Sequence, residues 1–145
     1  MNKCSDNDIK IINQSMHNLL KKIHDYINEN SEELAKLNPI DLQILEIVGN
    51  GRVRTIKEIK KMLLVSGSTL TSAINRLEKK EFIKRLINNE DKRSYGLQIT
   101  EKGTSINKNH EKVDRNIAIK ILNCFENKDI RVEMISILKK ISDEF

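Results

Sequence analysis

Residues 66–80, SGSTLTSAINRLEKK, carry side chains whose types and order suit contact with a polyanion. On a helix, Leu70, Ile74 and Leu77 form a narrow apolar stripe. Ser68, Thr69, Thr71, Ser72, Asn75, Arg76 and Lys79 occupy the other face. Ser66 is placed to cap the helix, because its hydroxyl accepts a hydrogen bond from a first-turn amide. Short hydrogen-bonding groups come first and cations last. A helix lying in a DNA major groove requires that order, with small donors and acceptors at base edges and cations at the flanking phosphates. A surface helix with a solvated polar face would look the same in isolation, so the neighbouring residues decide.

Few other residues are spaced for chemistry. His17 and His24 lie seven positions apart, not the four of a zinc pair on one helix. The chain has no Gly-rich phosphate loop, no nucleophile–base pair and no cluster at metal-ligand spacing, so no enzyme, cofactor or metal is expected. Aromatic content of 3% with no Trp argues against a single-strand binder that stacks bases. Cys4 and Cys124 stand far apart and read as reduced thiols rather than a disulfide framework. Cys4 is on a polar tail. Cys124 is on an apolar helix face with no nearby cation to lower its pKa, so packing is expected of it and a redox sensor is the alternative. The start, MNKCSDNDIK, does not resemble a secretory signal, and no apolar run has membrane-spanning length. The expectation is a cytoplasmic protein with no membrane partner.

Charge places the polyanion-binding region. The chain has 26 Lys and Arg against 21 Asp and Glu, a net charge of +5. Residues 38–103 hold 13 of the former and 8 of the latter, so the whole excess lies in the middle and the flanks are neutral.

The elements that position the 66–80 stretch follow from local signals. Asn38-Pro39 with Asp41 opens a helix that is apolar on most sides, and Gly49-Asn50-Gly51 closes it. Residues 52–54 read as a stub of strand. Thr55-Ile56-Lys57-Glu58 is a capping-box pattern, and its helix should bury Ile56, Ile59 and Leu63. That helix, a tight turn and the helix begun at Ser66 make a helix-turn-helix. After Lys80 the period changes to two: Ile83, Arg85 and Ile87, then Tyr95, Leu97 and Ile99, around a charged turn at 88–93. This is a hairpin wing with Asp91, Lys92 and Arg93 at its tip, and an arginine there is placed to reach a minor groove. A helix over about 7–30 carries Ile9, Ile12, Met16, Leu20, Ile23 and Ile27. Thr100 caps another to about 126, with Ile106, Val113, Ile117 and Ile121. Asn127 caps a last one bearing Ile130, Met134, Leu138, Ile141 and Phe145. These flanks carry more apolar surface than the small middle can cover, which points to a symmetric homodimer.

The stretch LTSAINRLEKKEFIKRLINNEDKRSYGLQITEKG resembles the MarR family of winged helix-turn-helix regulators. The features that carry the resemblance are Leu77-Glu78 at the end of the recognition helix, Arg85 in the strand, Asp91-Lys92-Arg93 in the wing, and Ile99-Thr100-Glu101-Lys102-Gly103 at its close. The match is close over about 37–104. It implies a mainly α fold with a small β-hairpin wing, in which residues 37–103 form the DNA-binding domain. Residues 1–36 and 104–145 would be the dimerisation helices. It further implies a repressor bound as a homodimer to a pseudo-palindromic operator in double-stranded DNA, and released by a small aromatic or lipophilic effector. On this resemblance Ser66, Ser68, Thr69, Thr71, Ser72, Asn75, Arg76, Lys79, Asp91, Lys92 and Arg93 form the DNA-binding set, with Asp91 orienting Arg93. The rival reading is an antirepressor or protein-interaction module that keeps the fold without DNA. Such a decoy would be expected to lose Arg76, Arg93 or the positive middle, and this chain keeps them. Two residues depart from the family pattern. Glu81 stands where Gly is usual, which costs about 1–2 kcal/mol if the turn needs positive φ. Gly96 interrupts the second wing strand, where it permits a bulge.

Overall fold

The computed structural model describes residues 4–87 and 95–144. Helix α1 (Asp6–Asn30) and the short α2 (Glu32–Ala35) precede α3 (Pro39–Gly49), β1 (Arg54–Thr55), α4 (Ile56–Leu63) and α5 (Gly67–Lys79). The strands β2 (Ile83–Ile87) and β3 (Tyr95–Ile99) follow, then α6 (Glu101–Leu122) and α7 (Lys128–Glu144). The chain divides into two compact units, Met1–Glu111 and Lys112–Phe145.

Caps explain most of the helix starts. The Ser66 hydroxyl accepts from the Thr69 amide at 3.1 Å, and that of Thr55 accepts from the Glu58 amide at 3.3 Å while the Glu58 carboxylate takes the Thr55 amide at 2.7 Å. The Thr55 amide foremost, and then the Thr55 hydroxyl, which donates to the same carboxylate oxygen at 2.8 Å, hold the Glu58 carboxyl below its ordinary value. Ser5 and Asp8 form the same reciprocal box at α1. Helix α2 was not expected: Ser31 ends α1 and caps α2 within a single residue. Helix α6 stops at Leu122, short of the expected 126, and the Asn127 side chain accepts from the Asp129 amide at 2.7 Å to start α7.

The sheet is antiparallel in the order β1-β3-β2. Pairing of β2 with β3 is regular from Ile83↔Ile99 to Ile87↔Tyr95, with Leu86 opposite Gly96. Gly96 therefore makes no bulge. It is needed because the residue just before β1 crowds it from the other side: a Cβ there would stand 2.5 Å from Val53 Cγ1. Ile87, in phase with buried Ile83, is nonetheless exposed at the far end of the strand.

The core gathers Ile44, Leu45 and Val48 of α3, Ile59 of α4, Leu70, Ala73, Ile74 and Leu77 of α5, and Phe82, Ile83 and Leu97. Ile56 and Leu63 are half-buried rather than buried. In the first unit, Leu34, Leu37 and Ile106 are buried too. Phe145, which the expected apolar stripe of the last helix included, lies outside the described residues, as do Asp91, Lys92 and Arg93, which were expected at the tip of the wing.

Candidate nucleic-acid interface

Helix α5 buries the Leu70–Ala73–Ile74–Leu77 stripe and thereby fixes which side faces outward. Ser66, Ser68, Thr69, Thr71, Ser72, Asn75 and Lys79 are all exposed, and Arg76 is partly so. They share one surface because steps of three and four along a helix return to the same side.

The structure divides these residues by what their polar atoms already do. Ser66 caps the helix, and its hydroxyl also lies 2.9 Å from Ser68 Oγ and 2.8 Å from Thr69 Oγ1. Arg76 is held most firmly. Its Nε and Nη2 donate to the two carboxylate oxygens of Asp41 at 3.2 and 2.8 Å. Asp41 is 1% exposed and its Oδ2 also accepts from the Asn38 amide at 3.1 Å. The hydrogen bonds to Asp41 raise the Arg76 pKa above its already high ordinary value. Arg76 therefore locks the recognition helix to the start of α3 while 40% of its side chain stays exposed. The Asp41 signal was present in the sequence as an acid inside an apolar helix. The helix dipole offered a sufficient local reason for it, and that hid the partner 35 residues away.

Arg85, expected in the alternation of the first wing strand and in the family pattern, joins that strand to α5. Its Nε pairs with Glu78 Oε2 at 3.0 Å, Nη2 donates to Asn75 Oδ1 at 2.7 Å, and the guanidinium sits 4.7 Å from the Tyr95 ring centroid. Lys60 is a further cation near the site, its Nζ 3.8 Å from where a Cβ on Gly67 would stand. Sequence reading missed it because it lies on the preceding helix.

The exit from α5 is clasped by the Thr100-x-x-Gly103 segment. Lys80 caps the helix and Glu81 turns it with φ at 62°. The Thr100 hydroxyl donates to the Glu81 carbonyl at 2.6 Å, its amide donates to the Phe82 carbonyl at 3.0 Å, and Lys102 Nζ reaches the Lys80 carbonyl at 3.0 Å. Gly103 leaves room for this approach, since a Cβ there would fall 2.0 Å from the Phe82 oxygen. Glu81 thus occupies a left-handed position that glycine would adopt without strain. Leu64, in the turn between α4 and α5, is a second such residue, with φ at 52° and 89% exposure.

Two open clefts flank the helix-turn-helix. One, of about 370 Å³, is lined by Asn38, Ile40, Ser68, Thr69, Ser72 and Arg76. The other, about 430 Å³, lies among Gln43, Glu46, Ile47, Asn50, Arg54, Met62 and Leu63. Cys4 and Cys124 are both exposed. Packing was expected for Cys124; it instead lies just past the end of α6 with its thiol 3.3 Å from the Lys120 carbonyl. Among the described residues no three His, Cys, Asp or Glu are grouped to hold a metal. No helix among them is long and apolar enough to cross a membrane.

Comparison with known proteins bears on this geometry. A profile described as the MarR family matches residues 37–95. The HTH-type transcriptional regulator YpoP of Bacillus subtilis is 30% identical over 129 residues, covering 86% of this chain and 92% of its own. The structure of YusO from Bacillus subtilis superposes with a TM-score of 0.72 at 23% identity, covering 97% of this chain and 99% of that one. Streptococcus pneumoniae FabT in complex with DNA gives 0.72 at 21% identity over 94% and 99%, a likeness of fold.

Proposed function

The chain belongs to the MarR family of transcriptional regulators, and from that premise we propose that it binds double-stranded DNA sequence-specifically as a homodimer, represses transcription from a pseudo-palindromic operator, and is released by a small aromatic or lipophilic effector. The observation that carries this reading is the outward face of α5. Its apolar side is consumed by the core, so the row of hydroxyls, amide and cations is left for a partner. The solved FabT complex with DNA lends the fold a precedent.

In this reading Ser68, Thr69, Thr71, Ser72 and Asn75 meet base edges, and Lys79 meets a phosphate. Ser66 acts through the cap. Arg76 offers a phosphate only the edge that Asp41 leaves open. Arg93 enters the minor groove with Asp91 beside it, an assignment that rests on resemblance because both lie outside the described residues. The homodimer is supported by exposed apolar rows on α1 (Ile9, Ile12, Met16, Leu19, Leu20) and on α7 (Ile130, Ile135, Leu138, Ile141).

A gel shift of the full chain against the DNA upstream of its own reading frame, with random duplex as competitor, tests the reading. A retarded band that survives random competitor is expected, and Arg93→Ala should weaken it while leaving the melting temperature unchanged. Absence of any retarded band would favour the protein-interaction alternative, and equal competition by random DNA would overturn sequence-specific binding.

A further inference from the structure

We infer that the cleft between α3 and α4 is a binding site for a small zwitterion with an apolar side chain, of which an aliphatic amino acid is the simplest example, and that Arg54 and Glu46 hold its two charges. Such a ligand differs from the effector proposed above in carrying both signs of charge. The inference does not rest on the DNA-binding role, and its test is read without DNA, so either can fail alone.

The cleft has a volume of about 430 Å³, within the range of sites for small molecules. Arg54, in β1, forms part of its wall with a side chain only 20% exposed. A cation covered to that extent ordinarily has close partners, because an unpaired charge away from water is costly. Arg54 has none. Among the described residues its Nε is buried with no hydrogen-bond partner, and its ion pair to Glu58, from Nη1 to Oε1, is 3.9 Å long, beyond hydrogen-bonding distance. Glu58 is not free to close the gap, since its Oε2 takes the Thr55 amide at 2.7 Å and the Thr55 hydroxyl at 2.8 Å. A planar fork of donors is thus left short of acceptors beside a cleft, and a ligand carboxylate at its Nη groups would supply them.

Glu46, on α3, lines the same cleft. It is exposed and, among the described residues, makes no hydrogen bond or ion pair, with Arg54 or any other. A simple anion in the cleft would face the charge of Glu46, and a simple cation that of Arg54. A molecule carrying one charge of each sign meets both, and a cleft this small puts both within reach of one molecule. The remaining wall includes Ile47, Met62 and Leu63. Met62 is 55% exposed, so apolar surface is left for a ligand side chain to cover. Two unpaired charges of opposite sign beside an apolar wall therefore select an aliphatic amino acid over a plain acid, a plain amine or glycine.

The experiment is isothermal titration of the full chain, without DNA, with four probes. These are L-leucine, 4-methylpentanoate (the same skeleton without the ammonium), 3-methylbutylamine (without the carboxylate) and glycine. L-leucine should bind saturably, and each of the others at least about tenfold more weakly. Glu46→Gln should cancel the advantage of L-leucine over 4-methylpentanoate, and Arg54→Gln its advantage over 3-methylbutylamine. Thermal melts of both variants check that they fold. If Arg54→Gln does not, Glu46→Gln decides, because its side chain is exposed. No saturable binding of L-leucine at millimolar concentration would overturn the inference. So would 4-methylpentanoate binding as tightly as L-leucine, the mark of a plain anion site. Undiminished binding of L-leucine by Glu46→Gln would place the ligand elsewhere and overturn it as well.

Discussion

Helix α5 hides Leu70, Ala73, Ile74 and Leu77 among its 13 residues, whereas α1, at 25 residues, hides none. Helix α7 likewise has no buried residue across its 17. Both end helices are amphipathic in sequence, so the contrast is not one of composition. Around α5, strands and helices close on the apolar stripe from several sides. Around α1 and α7 the stripes remain open, with Ile12, Leu20, Ile135 and Leu138 each half or more exposed. Burying an apolar side chain stabilises by roughly 1.5–3 kcal/mol, and leaving so many uncovered forgoes that gain. The middle covers its apolar stripe and leaves a polar face outward, whereas the apolar rows of the ends are left uncovered.

Breaking the ends should have the largest effect. In a symmetric dimer each substitution occurs twice, so Leu20→Glu should weaken association by about 3–6 kcal/mol, before the cost of the buried charge. Sedimentation velocity should show monomers at concentrations where the wild type is dimeric. A Leu20→Glu protein that sediments as the wild type does would remove α1 from the interface.

The middle should respond differently, losing stability with no dependence on concentration. Arg76→Ala leaves Asp41 buried with its charge uncompensated, and should cost about 3 kcal/mol in urea unfolding. Its loss of DNA affinity would then mix a displaced helix with any lost phosphate contact, and only the salt slope separates them. An unchanged unfolding midpoint would mean that the clamp holds nothing. Gly103→Ala comes next, at roughly 1–3 kcal/mol by overpacking against the Phe82 carbonyl. Alanine normally favours a helix interior, so a stabilised variant would show that the clasp at the α5 exit yields.

The smallest change runs the other way. Glu81→Gly relieves the left-handed strain and should stabilise by about 1 kcal/mol in thermal melts. A loss of stability would mean that Glu81 makes a contact outweighing its backbone strain. This position was legible from sequence because the family pattern places Gly there and glycine has a physical reason to be at a positive φ. The caps at Ser66, Thr55 and Thr100 were legible for a similar reason: each is a bond between residues three apart. The Asp41–Arg76 clamp and the Arg85–Asn75 bond were not, because they join residues 35 and 10 apart that only the folded chain brings together. Gly96 was misread for the same reason: its crowding neighbour Val53, just before β1, is distant in sequence and meets it only in the folded chain. The alternation of β2 promised a buried face along its length, but Ile87 lies where the sheet has run past the core.

The central claim is that a pair of α5 helices reads one duplex. The most direct test is sedimentation equilibrium of the full chain on a fluorescently labelled duplex carrying its footprinted upstream site, with a scrambled duplex of equal length alongside. The account predicts two chains on the native duplex and at least tenfold weaker binding to the scrambled one. A single chain per duplex, or equal affinity for both duplexes, would contradict it.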